Sequence, residues 1–223
     1  MTTATIAVKG SASEDFPADY ATVHFGLEVS AVARSGALAG GNAVVGQVRE
    51  TVAQLGDGAR EMKVQSLRVQ QTFDHVGPDH IREPSGWVAQ LSGEINLEPG
   101  TVPAATAQLI KTGVRISHLT WHLDPATELR AHRAVRRLAV ADAREAANDF
   151  ALALGADLGS LITLADPGLL SAGDFEVRGV RAAHFAASAT SGSSWDEYVD
   201  IDPEEITVWA NVEASYEVTL PKD

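Results

Sequence analysis

"ITVWANVEASYEVTL", residues 206–220, alternates without a break. Ile206, Val208, Ala210, Val212, Ala214, Tyr216, Val218 and Leu220 take one side. Thr207, Trp209, Asn211, Glu213, Ser215, Glu217 and Thr219 take the other. This period of two predicts a long strand with one buried face and one wet face. One-sided burial points to antiparallel pairing, because strands of all-parallel sheets are covered on both faces.

The same rhythm recurs in Ala21, Val23, Phe25, Leu27 and Val29, and in Trp87, Ala89, Leu91, Gly93, Ile95 and Leu97. Residues 62–73 and 87–97 are expected to pair as a hairpin across the polar loop "DHVGPDHIREPSG". Shorter strands are expected at 5–10, 116–123 and 161–165. Helices are expected between them. Residues 35–55 carry Val45, Val48, Val52 and Leu55 at helical spacing, although Gly40-Gly41 weakens the start. Residues 102–112 form a short helix stopped by Gly113. A long helix opens at "DPATE", with Asp124 as cap and Pro125 in its first turn, and ends at Gly155. The expected class is therefore α+β: largely antiparallel sheets of long strands packed against two or three helices.

The long helix runs into the stretch "AVADAREAANDFALALGADLGSL", residues 139–161, and stops at its glycine, Gly155. At 100° per residue, Val135, Leu138, Ala139, Ala143, Ala146, Phe150 and Ala153 share an apolar face. Arg130, Arg133, Arg137, Arg144 and Asn148 lie opposite. Alanine on the buried side permits close approach to a sheet at no side-chain entropy cost. Asp142 falls at the edge of the apolar face. It reads as a boundary carboxylate bonded to a backbone group or an arginine, since a catalytic acid would need a partner that no spacing supplies.

The chain has 223 residues, enough for one domain spanning 1–223, with room for two lobes. Between Pro167 and Pro203 periodicity disappears, so residues of about 168–203 are expected to form a mobile or partner-held arm. A net charge of −13 disfavours nucleic acid and anionic membrane surfaces. The absence of cysteine excludes disulfides, thiolate nucleophiles and Cys-based zinc sites. No apolar run approaches the ~18 residues of a membrane helix, so no membrane insertion is expected. "MTTATIAVKGSASEDF" shows no secretory signal, so the chain as written is expected to be cytoplasmic, and periplasmic or secreted if a leader was removed.

These segments together resemble the SIMPL-domain family, which includes bacterial periplasmic immunogenic and oxidative-stress defence proteins. "VKGSASEDFPADYATVHFGLE" is similar to the family's opening strand, glycine and aspartate followed by a long strand. "ALAGGNAVVGQVRETVAQLG" resembles its first helix, with Ala37, Asn42, Val48 and Leu55 in place. "KVQSLRVQQTFD" and "GWVAQLSGEINLE" resemble the central hairpin, "DAREAANDFALALGADLGSL" the long helix, and "IDPEEITVWANVEASYEVTL" the closing strand. Two features depart from the pattern: Glu204 stands where the family often has glycine, and the family's export signal is missing. The resemblance implies an α+β fold, a tendency to large homo-oligomers, and no established catalytic residues.

Chemistry was sought among the residues themselves. Asp74, His75, Asp79 and His80 in the hairpin loop are the candidates for a divalent ion such as Zn or Mn, against the plainer reading of a solvated loop. His118 and His122 share a strand face but lie roughly 13 Å apart, too far to hold one ion. Ser11, Ser66 and Ser193 lack a nucleophile-elbow pattern, and no phosphate loop or dinucleotide fingerprint is present. No cofactor and no enzyme activity are expected, an unrecognised hydrolase being the residual class. Trp87 and Trp121 fall on predicted buried faces, whereas Trp209 falls on a wet one and suggests a covered or partner-facing surface. Arg130, Arg133, Arg137 and Arg144 complement the acidic run Asp196, Glu197, Asp200, Asp202, Glu204 and Glu205, from the same chain or a neighbour. The expectation is a self-assembling, non-enzymatic SIMPL-like protein tied to oxidative-stress or envelope physiology. The alternative is a small-ligand or divalent-metal module using the 74–82 loop or a cleft under the 168–203 arm.

Overall fold

In the computed structural model, which describes residues 2–76, 81–169 and 201–221, seven strands and three helices alternate as α+β. In chain order they are β1 (Thr2–Pro17), β2 (Tyr20–Ala31), α1 (Arg34–Gln54), β3 (Ala59–Val76), β4 (Ile81–Leu97), α2 (Val102–Lys111), β5 (Arg115–His122), α3 (Pro125–Ala153), β6 (Asp157–Ala165) and β7 (Glu205–Leu220). They divide into two compact units. Most of the expected arm, residues 170–200, lies outside the described residues. No described helix is long and apolar enough to cross a membrane.

The first unit is formed by residues 2–16, 125–169 and 207–221. Its sheet has the order β1-β7-β6. β7 bears out the alternation that defines it: Val208, Val212, Ala214, Tyr216 and Val218 are buried. α3 buries Ala131, Val135, Ala139, Ala143, Ala147 and Ala151, the last four packed with Val212, Ala214, Tyr216 and Val218. Every fourth residue is buried, so the contact follows a single i, i+4 ridge rather than a broad face. Leu138, Phe150 and Ala153, expected to face the core, are instead exposed. The reason is steric. A ridge of small residues seats the helix so close to the sheet that the larger side chains on its flanks stand clear of the contact. The helix ends as its glycine predicts: Gly155 has φ +63°, and the Ala156 N–H donates to the Ala151 carbonyl at 2.9 Å.

The second unit contains residues 17–76, 81–124 and 201–206. Its antiparallel sheet has the order β3-β4-β2-β5. α1 crosses from β2 to β3 with β4 inserted between them. α2 crosses from β4 to β5 with β2 inserted. Two interleaved split βαβ units of this kind make a ferredoxin-like layer. The odd residues Ala21, Val23, Phe25 and Leu27 of β2 point into a core with Leu91, Ile95 and Leu97 of β4, Val45 and Val48 of α1, and Val102, Ala105 and Leu109 of α2. Gly40, which weakened the helix prediction, sits where a Cβ would lie 2.6 Å from Val29 Cγ1, so the glycine lets α1 approach β2.

The hairpin corrects a second expectation. β3 and β4 remain paired through Val76 and Ile81, so most of the loop expected at 74–86 is strand, joined by residues 77–80. Backbone pairing does not require apolar side chains, and strands exposed on their outer face can extend through polar sequence. β1 and β6 are likewise longer than their apolar cores at 5–10 and 161–165 suggested.

Candidate functional site

With the odd residues of β2 buried, its even residues Tyr20, Thr22, His24 and Glu28 are presented on the opposite face of the sheet. The antiparallel register places Tyr20 opposite His122, Thr22 opposite Thr120 and His24 opposite His118 on β5. On the other side of β2, β4 places Asn96 beside Thr22 and Glu94 beside His24, with Lys63 of β3 beyond Glu94. One row across the sheet therefore reads Lys63, Glu94, His24, His118.

The rings of His24 and His118 are stacked, with centroids 4.0 Å apart and planes inclined by 14°. Tyr20 and His122 stack at 4.9 Å and 21°. Between the two stacks, Thr22 is buried and its hydroxyl donates to Asn96 Oδ1 at 2.9 Å. Gln65 Nε2 donates to Glu94 Oε2 at 2.6 Å, which orients the carboxylate. Burial, and then the neighbouring His118, hold the His24 pKa below its ordinary value against an opposing pull from Glu94. His122 is lowered in the same way, by burial and then by His24. Parallel rings direct their nitrogen lone pairs alongside each other rather than toward one point. Among the described residues no group of three or more His, Cys, Asp or Glu is arranged to hold a metal ion. The chemistry this arrangement supports is proton uptake by clustered imidazoles beside a fixed carboxylate.

Sequence reasoning missed this face because it measured His118 against His122 along one strand. Each of the two has its partner across the neighbouring strand. A signal was present: Tyr20 and His24 are four apart on β2, as are His118 and His122 on β5. Antiparallel pairing of such mirrored spacings brings both pairs together in one register.

Arg60, at the start of β3, fixes the end of this face. Its Nε donates to Glu98 Oε1 at 2.6 Å, Nη1 to Asp124 Oδ1 at 2.6 Å, and Nη2 to the Asp19 carbonyl at 2.8 Å. The guanidinium also lies over the Tyr20 ring, 4.9 Å from its centroid. Asp19 Oδ2 in turn accepts the Asp124 N–H at 2.8 Å. Substituting Arg60→Gln removes the guanidinium from all three bonds and, with partners this exposed, is expected to cost about 1–2 kcal/mol in urea unfolding. A cost below about 0.5 kcal/mol would mean that water replaces these bonds without loss.

The residues singled out from sequence are distributed as follows. Asp142 is exposed, and its Oδ2 accepts the Ser11 N–H at 2.8 Å, tying α3 to β1. Asp74 is exposed and opposite Glu83 in the β3–β4 ladder; the His75 side chain, Asp79 and His80 lie outside what is described. Trp121 is partly buried against the core of the second unit. Arg133, Arg136 and Arg137 surround Val140 on α3 in an open recess of about 370 Å³. Arg130 donates to Thr127 Oγ1, and Arg144 is exposed. Trp209 is 68% exposed.

Comparison with curated proteins returns no match. A solved structure titled "putative aminohydrolase from methicillin resistant Staphylococcus aureus" is 16% identical over 52% of this chain and 33% of that one, with a TM-score of 0.27. That likeness is too slight to bear on fold or activity. The model of the SIMPL family, described as a protein of unknown function (DUF541), matches residues 6–216. With nearly the whole chain matched, from within β1 to within the closing strand β7, the protein belongs to the SIMPL family.

Proposed function

We propose that this chain is a non-enzymatic protein that self-assembles through the first unit, using the outer surface of α3 and Trp209. The observation that carries the reading is a set of large apolar side chains left in solvent: Leu138 is 48% exposed, Phe150 56% and Trp209 68%. Exposed apolar side chains beside arginines on α3, and Trp209 on the face of β7 turned away from α3, give two separate surfaces with the composition of a protein interface. Arg133, Arg136 and Arg137 have no ion pair among the described residues. In a protein of net charge −13, acidic surface on another copy is abundant, and the run between Asp196 and Glu205 is its densest stretch. Exposed ion pairs are worth about 0–1 kcal/mol each, so several must act together and must weaken with salt. A role in oxidative-stress or envelope physiology is the process in which such an assembly would serve.

The test reverses Arg133→Glu and Arg137→Glu together and compares native mass with the parent at low and high salt. The reading expects a smaller species for the variant, and partial dissociation of the parent at high salt. Identical native masses at every salt concentration would remove the arginines from the interface.

A further inference from the structure

The stacked histidines lie at one edge of the second unit's sheet. β5 is an edge strand that pairs only with β2 among the described residues. Its residues are exposed or only partly buried from Arg115 to His122. The ladder is also broken at the histidines: His24 faces His118 but Phe25 faces Ile116, so a bulge leaves Ser117 between them. Ser117 Oγ donates to the His24 carbonyl at 3.1 Å and closes that gap. Bulges interrupt pairing and concentrate near functional positions.

We propose that this face is an acid-responsive latch: the neutral His24 ring stacks on His118 and holds β5 on β2, and protonation of the face releases the strand. Stacked nearly parallel at 4.0 Å, the two rings would repel each other if both were charged. The charged and titratable groups facing His24 are His118 and, two residue pairs along, His122 on β5; Glu94 on β4, with Lys63 beyond it on β3; and Tyr20 and Glu28 along β2. Of these carboxylates, Glu94 is the one whose charge acts on both His24 and His122, while Glu28 accepts from Gln90 at 2.7 Å and Lys63 is engaged with Glu61 at 2.9 Å. Glu94 can compensate a first proton but not a second.

The direction with pH follows from the lowered values. His24 and His122 take up protons less readily folded than unfolded, from an ordinary value of 6.5. Their contribution to stability is complete above about pH 6.5 and is lost as pH falls through the folded values. The effect is acid-induced loosening.

The experiment is amide hydrogen exchange on the full chain at about pH 7.5 and 5.5, corrected for the intrinsic pH dependence of exchange. Protection across 115–122 is expected to fall at least about tenfold on acidification, while 89–97 of β4 changes little. His118→Phe preserves a ring to stack on His24 but cannot be protonated, and His118→Gln removes both ring and charge. In each, the acid-induced loss at β5 should be markedly smaller than in the parent, the remainder belonging to His24 and His122. His132→Gln, on α3, should behave as the parent. Unchanged β5 protection in the parent, or the same acid-induced loss in both His118 variants, would overturn the latch.

Discussion

Replacing Gly10 by valine should unfold the first unit, at a cost above about 3 kcal/mol. Gly10 lies on β1 where α3 crosses it. A Cβ there would fall on the carbonyl oxygen of Ala139 and within 2.7 Å of the Ala143 Cβ. Overpacking against a flexible side chain costs about 1–3 kcal/mol, because the neighbour can turn aside. Here the obstacles are the helix backbone and a methyl group with no rotamer to change. α3 would have to lift from the sheet, and with it would go the bond between Asp142 and the Ser11 N–H one residue away. Gly10→Ala should already be damaging, and Gly10→Val more so. Amide exchange along α3 and β7 is the appropriate readout. A Gly10→Val protein with parental protection there would show that helix and strand are farther apart than described.

The second large effect falls on the other unit. Phe25 is a fully enclosed aromatic in the core beneath α1 and α2, one residue from His24. Phe25→Ala is expected to cost about 3–5 kcal/mol, from lost apolar transfer and the cavity left behind. Phe25→Leu, closer in volume, should cost appreciably less. The ordering of the two variants matters more than either value, because only a tightly packed site distinguishes them. Urea unfolding followed by exchange in β2 and β4 checks both. Similar small losses for the two would mean that the core closes around the missing ring.

What could be read in the sequence was governed by period and sidedness. The alternations from Ala21 to Val29, from Trp87 to Leu97 and from Ile206 to Leu220 each mark a strand, because burying one face of a pleated ribbon imposes a period of two. Gly155 marks the end of α3 because only a residue without Cβ readily adopts its positive φ. The long helix misleads for an instructive reason. Its wheel shows a broad face containing Leu138 and Phe150, and hydrophobicity alone ranks these above alanine. The sheet selects the alanine ridge instead, because contact distance and not hydrophobicity decides which residues are buried. Strand lengths were underestimated where residues 11–17 and 74–76 break the apolar alternation, since ladder hydrogen bonds form between backbones whatever the side chains.

The candidate site was legible only in part. His118 and His122 could be placed on one strand face from their spacing, but their partners depend on which strands become neighbours. β2 and β5 are separated in sequence by a helix, a hairpin and a second helix, and α2 carries the chain from β4 over β2 to its far side. That crossover is a property of the fold, and only the mirrored spacing of Tyr20-His24 and His118-His122 hints at it. The arginine row of α3 was visible because a helix wheel needs no tertiary information. Arg136 was overlooked because it lies between the arginine row and the apolar face, where it joins Arg133 and Arg137 around Val140.

Self-assembly of the unaltered protein is the claim on which the functional reading stands. Sedimentation velocity of the full chain across a wide concentration range, at low salt and neutral pH, tests it without any substitution. The reading predicts a discrete homo-oligomer that persists on dilution and gives way to smaller species as salt is added. A 23.5 kDa monomer at every concentration would contradict it.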